Sequence, residues 1–354
     1  MADFPRLSPA PLVRRPARAG SLMGRVALAL APAVALGIVV YGLPALVMVV
    51  ACVAGALLGE AGGAGLLGRR ARPADGSAVL TGLLLSLTLP PGLAPGWALL
   101  GGLAGTLVAR QLFGGLGHNP LNPALTGRLL LSLAAPAALE NSLLQPFGWR
   151  AGSWWAFTQP RAADALRELW EASAALRLAL RESAGVLPSG LAGGADRLGL
   201  IQGLQDLLAS AGPDQLLWPR LPGLLGEASL LALLPGLLWL YAARLVDWRI
   251  PAAGLIVLPF ALLLAAGGPG GHWFSLALSL KGVSLLLLFC VFASDPVTTP
   301  LGQLSKFCFG ILVAAGAALA LRFSSQAGAL FWVVPAANLA TPWLDRLLLP
   351  RGPR

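Results

Sequence analysis

Long apolar stretches, separated by short arginine- or proline-containing turns, recur along this chain from Arg25 to Leu347. An α-helix rises about 1.5 Å per residue, so roughly 20 apolar residues cross a bilayer. On that scale the pattern predicts about ten membrane segments, near 24–41, 43–60, 77–90, 95–113, 122–138, 228–244, 251–267, 273–293, 304–322 and 328–347. The third does not fit a simple span. It stops at Pro90-Pro91 after about a dozen residues, too few to cross, and is predicted to be tilted, re-entrant or half of a broken helix.

A long polar interval, 139–227, divides the segments into two groups of five. The groups echo each other in order. Pro32 in the first segment answers Pro235 in the sixth, and Pro44-Ala45 opens the second as Pro251-Ala252 opens the seventh. Leu89-Pro90-Pro91 ends the third where Ser294-Asp295-Pro296 ends the eighth. Asn119-Pro120-Leu121-Asn122-Pro123 opens the fifth, and Pro335 to Pro342 lies within the tenth. An odd number of spans per half inverts one half relative to the other, and matched interruptions in inverted halves point to a midplane site. The predicted fold is therefore an all-α integral membrane protein of about ten transmembrane helices, two inverted five-helix repeats with broken helices. The predicted divisions are an N-terminal arm (1–23), a first membrane half (24–138), a periplasmic loop (139–227), a second membrane half (228–347) and a tail (348–354).

Charge orients this arrangement. Hydrophobic residues make up 56% of the 354 residues and charged residues only 11%, against about 25% in a soluble domain. The net charge of +10 would suit nucleic acid, but the basic residues sit at the ends of apolar runs, as membrane topology requires. Arg6, Arg14, Arg15, Arg18, Arg25, Arg69, Arg70, Arg72, Arg110, Arg244, Arg249, Lys306, Arg346, Arg351 and Arg354 all fall on one side of ten spans. That side is the cytoplasm, so both termini are expected there. The N-terminus reads as retained, with no small-residue cleavage site. Within the long loop, 164–183 is amphipathic and predicted helical, and 187–194 is a glycine-rich turn region. Cys52, Cys290 and Cys308 lie in apolar runs at no metal-ligand spacing and are expected to pack as small hydrophobes; no metal site is expected.

Two polar interruptions carry the candidate chemistry. Gly114 to Pro123 joins a glycine turn to two Asn-Pro steps. Proline bars the preceding Asn119 and Asn122 from helical geometry, which frees their amides to face a cavity. The competing role is helix capping, with Asn122 at the N-cap and Pro123 at the first helical position. Ser294 to Pro300 places Asp295, Thr298 and Thr299 at a membrane break, where an ionisable group is a functional candidate; capping by Asp295 or Thr299 is again the alternative. Lys281 receives no role, and His272 reads as interfacial. No hydrolytic or transferase constellation is present, so redox chemistry would have to come from a cofactor.

These residues resemble a known family. It comprises the D subunit of Rnf-type ion-translocating ferredoxin–NAD electron-transport complexes and the homologous B subunit of the sodium-translocating NADH–quinone reductase. Asp75 to Gly82 resembles its DGSALLTG, and Ser86 to Pro91 its LSLPP. Arg110 to Ala124 is similar to its asparagine–proline motif, with Leu121 in place of Phe. Trp248 to Pro251, Ser294 to Val297 and Asn338 to Asp345 match further motifs. The resemblance implies an electron carrier of the bacterial inner membrane that binds flavin and works only within a multi-subunit complex. Its implied partners include a periplasmic flavin subunit and iron–sulfur subunits, in contact with membrane lipid. The polar cradle implied for a flavin comprises Gly117, His118, Asn119, Asn122, Asp295, Thr298, Thr299 and Asn338. One departure matters. The family joins FMN through its phosphate to a threonine in the long loop, and the matching stretch here is Gly193-Gly194-Ala195-Asp196-Arg197-Leu198. Asp196 at the acceptor position would give a labile mixed anhydride and would repel a phosphate. FMN or riboflavin is therefore expected to be non-covalent. Broken helices also suit a solute channel or transporter, and loss of the covalent flavin suits a structural or ion-path subunit; both stand as alternatives.

Overall fold

The computed structural model describes residues 19–68, 75–115, 117–144, 146–147, 150, 217–218, 223–265, 281–323 and 328–348. The expected loop helix 164–183, the turn 187–194, the Gly194-Ala195-Asp196 stretch and His272 lie outside the described residues.

The regular elements among the described residues are helical. The first half contains α1 (Ala19–Tyr41), α2 (Leu43–Leu66), α3 (Ser77–Leu87), α4 (Pro95–Thr106), α5 (Pro123–Ala134) and the short α6 (Pro136–Glu140). The second contains α7 (Leu230–Ala242), α8 (Arg249–Ala265), α9 (Lys281–Phe292), α10 (Gln303–Phe323), α11 (Val333–Asn338) and α12 (Thr341–Leu348). Short 3-10 turns, Leu225–Glu227 and Ala329–Trp332, lead into α7 and α11. Proline sets several starts: Pro44, Pro95, Pro123 and Pro136 occupy first-turn positions, where the missing N–H costs nothing. Gly42, at φ 76°, turns the chain from α1 straight into α2.

Among the described residues, three helices are long and apolar enough to cross a membrane: Gly20–Tyr41, Leu43–Leu66 and Gln303–Leu321. The other apolar helices are shorter. α3 stops at Leu87, as the proline pair foreshadowed. The run expected as one tenth span is instead a 3-10 turn followed by α11 and α12, with a turn at Leu339-Ala340. The fifth is likewise cut at Ala135.

Packing repeats between the halves. α2 lies along α4, and α8 lies along α10, the second and fourth helices of each half. α1 and α7 lie on each other across the halves, and α5 meets both the Ala329–Trp332 turn and α11. Small residues allow these approaches. A Cβ on Gly102 would strike the Cys52 carbonyl, and one on Gly127 the Gly101 carbonyl, so α2–α4 and α4–α5 touch backbone to backbone. The continuous buried core runs through both halves, from Leu30 and Met48 to Phe289, Phe309 and Phe331.

Both polar interruptions follow the same local device. α4 runs into a π turn, Leu107–Gln111, before the glycine segment, and α9 ends in a π turn, Leu288–Phe292, before Ser294. An i→i+5 turn widens the helix at a site of irregular backbone. Left-handed glycines then redirect the first break: Gly114, Gly115 and Gly117 have φ 114°, 98° and 87°.

Candidate functional site

The two breaks meet. Asn122 begins α5 in extended geometry, and its Oδ1 accepts from the Ala124 and Leu125 backbone N–H groups at 3.0 and 3.3 Å. Its Nδ2 is left to donate to Asp295 Oδ2 at 3.0 Å. The other Asp295 oxygen accepts from Val297 N–H at 3.1 Å, and the Asp295 carbonyl accepts from Thr298 and Thr299 N–H at 3.2 Å. Asn122 therefore caps a helix and reaches the other half at once.

The tenth-segment interruption closes on the same place. Thr341 Oγ1 donates to the Thr298 carbonyl at 3.2 Å, which ties α12 to the turn after α9. Thr298 and Asn338 are each 4% exposed, yet Thr298 Oγ1 and both amide atoms of Asn338 have no hydrogen-bond partner among the described residues. Orphaned buried polar atoms are costly and call for a partner. Phe292 and Phe331 meet edge to face beside the second break, with centroids 5.4 Å apart.

Not every expected cradle residue joins this junction. Asn119 is buried, but its Nδ2 donates to the Leu121 carbonyl at 3.3 Å, closing its own turn. Gly117 and His118 are exposed, and Thr299 is half-buried.

The sequence pattern of the NQR2, RnfD, RnfE family matches residues 6–352. The chain belongs to this family. It is 34% identical over 345 residues to the D subunit of the ion-translocating oxidoreductase complex of Stutzerimonas stutzeri, covering 94% of this chain and 91% of that one. It is 30% identical over 359 residues to the protein of the same description from Cronobacter sakazakii, with 98% of each chain covered.

Buried charge also ties helices together in this family member. On α2, Glu60 is 4% exposed; its Oε2 lies 3.1 Å from Arg110 Nη1 and accepts from Gln111 Nε2 at 2.8 Å. Arg110 Nη2 also reaches Asp75 Oδ2 at 3.4 Å, while Asp75 Oδ1 accepts from Ser77 N–H and its hydroxyl at the head of α3. Arg110 thus sits in the π turn between two carboxylates, 2% exposed, rather than in solvent as its use as a topology marker implied. A second cluster joins the halves. Glu227 accepts from Lys281 Nζ at 2.9 Å, Ser284 Oγ at 2.5 Å and Leu224 N–H at 2.8 Å. Arg128 on α5, 1% exposed, lies within electrostatic reach of Glu227. Arg128 escaped the sequence reading, although an arginine inside an apolar helix was the available signal.

At the turn between α7 and α8, Asp247 bonds Lys306 Nζ at 2.7 Å and Arg249 Nη1 at 3.3 Å. Burial pushes this carboxyl upward, but the bonds from Lys306 and from the Arg249 backbone outweigh it and hold Asp247 below the usual carboxylate range. Asp345 receives Leu301 N–H at 2.9 Å and Gly302 N–H at 3.1 Å, so α12 holds the turn that leads into α10.

Proposed function

We propose that this chain is a membrane subunit of an ion-translocating oxidoreductase complex of the bacterial inner membrane and carries electrons through a non-covalent flavin, FMN or riboflavin. Its two halves act as inverted five-segment repeats, with both termini cytoplasmic. Membership of the family and the names of the relatives support the complex. One observation carries the flavin: the Asn122–Asp295 junction lies beside the unpartnered amide of Asn338 and hydroxyl of Thr298. Amide and hydroxyl groups that lack partners suit a ring system with imide and carbonyl edges.

A bound flavin would supply one- and two-electron chemistry that no side chain here can. The chain's own residues do the rest. Asn338, with the remaining N–H of Asn122, would hold the ring system, Asp295 fixes Asn122, and Phe292 with Phe331 would shield the group from water. Iron–sulfur subunits and a periplasmic flavin subunit are the proposed redox partners, and Asp295 with the carbonyls of the breaks is the proposed point of ion coupling. A rocking transporter fits less well, because the halves are bonded at Asn122–Asp295 and again where Trp332 Nε1 donates to Ser132 Oγ at 3.2 Å.

Visible spectra of the purified complex test the reading. Flavin absorbance that is released into the filtrate on denaturation, and that falls in Asn122→Ala and Asn338→Leu variants with the complex still assembled, is the expected result. A fully assembled complex whose flavin content ignores both substitutions overturns it.

A further inference from the structure

The turn between α7 and α8 gathers basic side chains at the head of an apolar ridge. Arg244 and Arg249 stand at this turn and Lys306 comes from the first turn of α10, with Asp247 bonded to Arg249 and Lys306. Three cations against one carboxylate leave the group positive. Nor does Asp247 use up the donors. Among the described residues Arg249 commits only Nη1 of its guanidinium, and Lys306 one bond from an ammonium with three N–H groups.

Arg244 is the least expected member. α7 closes with Leu245 N–H on the Leu240 carbonyl at 3.0 Å and Arg244 N–H on the Tyr241 carbonyl at 2.9 Å. This closure puts Arg244 in the left-handed region, φ 54°, at the position where glycine is the usual occupant. Glycine would serve the turn better. What arginine adds is an exposed cation beside Asp247, Arg249 and Lys306.

Below the cations the surface turns apolar. Trp248, Ala252, Ile256, Phe260 and Leu264 recur at every fourth position, and the four large ones are exposed. Residues four apart line one face of a helix, so they form a ridge about 24 Å long along α8. That exceeds one leaflet, half of a hydrocarbon core of about 30 Å, and no charged residue interrupts 250–265. Trp248 heads the ridge, edge to face with Phe307 at 6.0 Å and with the Arg249 guanidinium 5.4 Å from its ring centroid. Tryptophan is at home at headgroup level.

We propose that this turn is a binding site for an anionic phospholipid, independent of the flavin reading. Arg244, Arg249 and Lys306 take the headgroup phosphate, and the Ile256–Phe260–Leu264 ridge carries an acyl chain. A zwitterionic lipid brings a cation of its own to the same cluster and is disfavoured. An acidic segment of another subunit would answer the charge but not the ridge beneath it.

Photolabelling of the purified complex tests the site. The complex is reconstituted in phosphatidylcholine vesicles that carry a trace of diazirine-bearing phosphatidylglycerol or phosphatidylcholine with identical acyl chains, and labelled peptides are mapped by mass spectrometry. The phosphatidylglycerol probe is expected to label the peptides around Trp248 and Phe307 above the phosphatidylcholine probe. Arg244→Gly lowers that labelling about fivefold, the worth of one basic residue near an anionic surface, while the melting temperature does not fall, because glycine suits the turn. Arg244→Lys keeps the labelling, and Arg249→Gln lowers it. Arg244→Gly carries the test should Arg249→Gln not accumulate. Equal labelling by the two probes overturns the proposal, as does phosphatidylglycerol labelling that ignores the loss of Arg244. A turn that neither probe labels, while the exposed face of α1 is labelled, overturns it too and assigns the surface to another subunit.

Discussion

Asn122 and Asp295, far apart in sequence, share a hydrogen bond of 3.0 Å that joins the break before α5 to the break after α9. Each end of the Asn122 amide has a separate job, since Oδ1 caps α5 while Nδ2 serves Asp295. Substitutions can separate the jobs. Asn122→Ser keeps a capping oxygen but cannot reach Asp295, and loses the bond to a charged acceptor, about 1.5–3 kcal/mol. Asn122→Asp keeps the cap as well but sets a second carboxylate against the first. The expected order of thermal stability in nanodiscs is parent, then Asn122→Ser, then Asn122→Asp. An Asn122→Asp protein as stable as the parent would mean that the junction opens without cost.

The Arg110 site makes a stronger demand. One guanidinium bridges Glu60 and Asp75, with side-chain exposures of 3% for Arg110, 6% for Glu60 and 16% for Asp75. Removing the cation alone leaves buried carboxylates uncompensated, which typically costs about 3–5 kcal/mol. Arg110→Met is therefore expected to melt well below the parent, and Glu60→Gln in the same chain to recover part of the loss. A double-mutant cycle measures the coupling. Additive losses would show that Arg110 and Glu60 do not act as a pair.

Much of this architecture was legible in the residues, and the reasons for the rest are physical. Proline and glycine announce broken backbone directly, so Pro90-Pro91, Asn119 to Pro123 and Ser294 to Pro300 marked the end of α3, the start of α5 and the end of α9. Capping is local, so Asn122 as N-cap was also readable. Span length was harder to read: Pro335 and Pro342 marked the tenth segment, but hydropathy did not show that it divides into two short helices after Asn338. Tertiary pairing was least readable. Nothing local says that Asn122 faces Asp295, that Arg110 turns inward to Glu60, or that Asn119 is consumed by its own turn while Gly117 and His118 face outward.

Asp247 links stability to acidity at the turn between α7 and α8. Its carboxyl is held below the usual range by Lys306 and Arg249. A depressed carboxylate contributes stability that is complete above its unfolded value, near pH 3.9, and lost as pH falls through the lower folded value. With its side chain 23% exposed, the effect is modest and weakened by salt. Lys306→Met is expected to lower the stability plateau above about pH 4 by that modest amount, and so to flatten the acid limb below it. An acid limb identical in parent and variant would assign the depression to another group.

Asp196 bears on how a flavin can be held. An FMN phosphate needs a hydroxyl to form a stable ester, and a carboxylate offers only a hydrolysable anhydride while adding negative charge beside the phosphate. The chain is expected to run as a non-fluorescent band under ultraviolet light after denaturing electrophoresis, even when purified from cells that attach FMN to other proteins. Asp196→Thr, with Arg197→Pro where the attaching enzyme reads that position, is expected to gain a fluorescent band. The two outcomes separate chemistry from alignment. A fluorescent parent band would show that another residue accepts the phosphate, whereas a dark Asp196→Thr band would show that the acceptor stretch lies elsewhere in the loop.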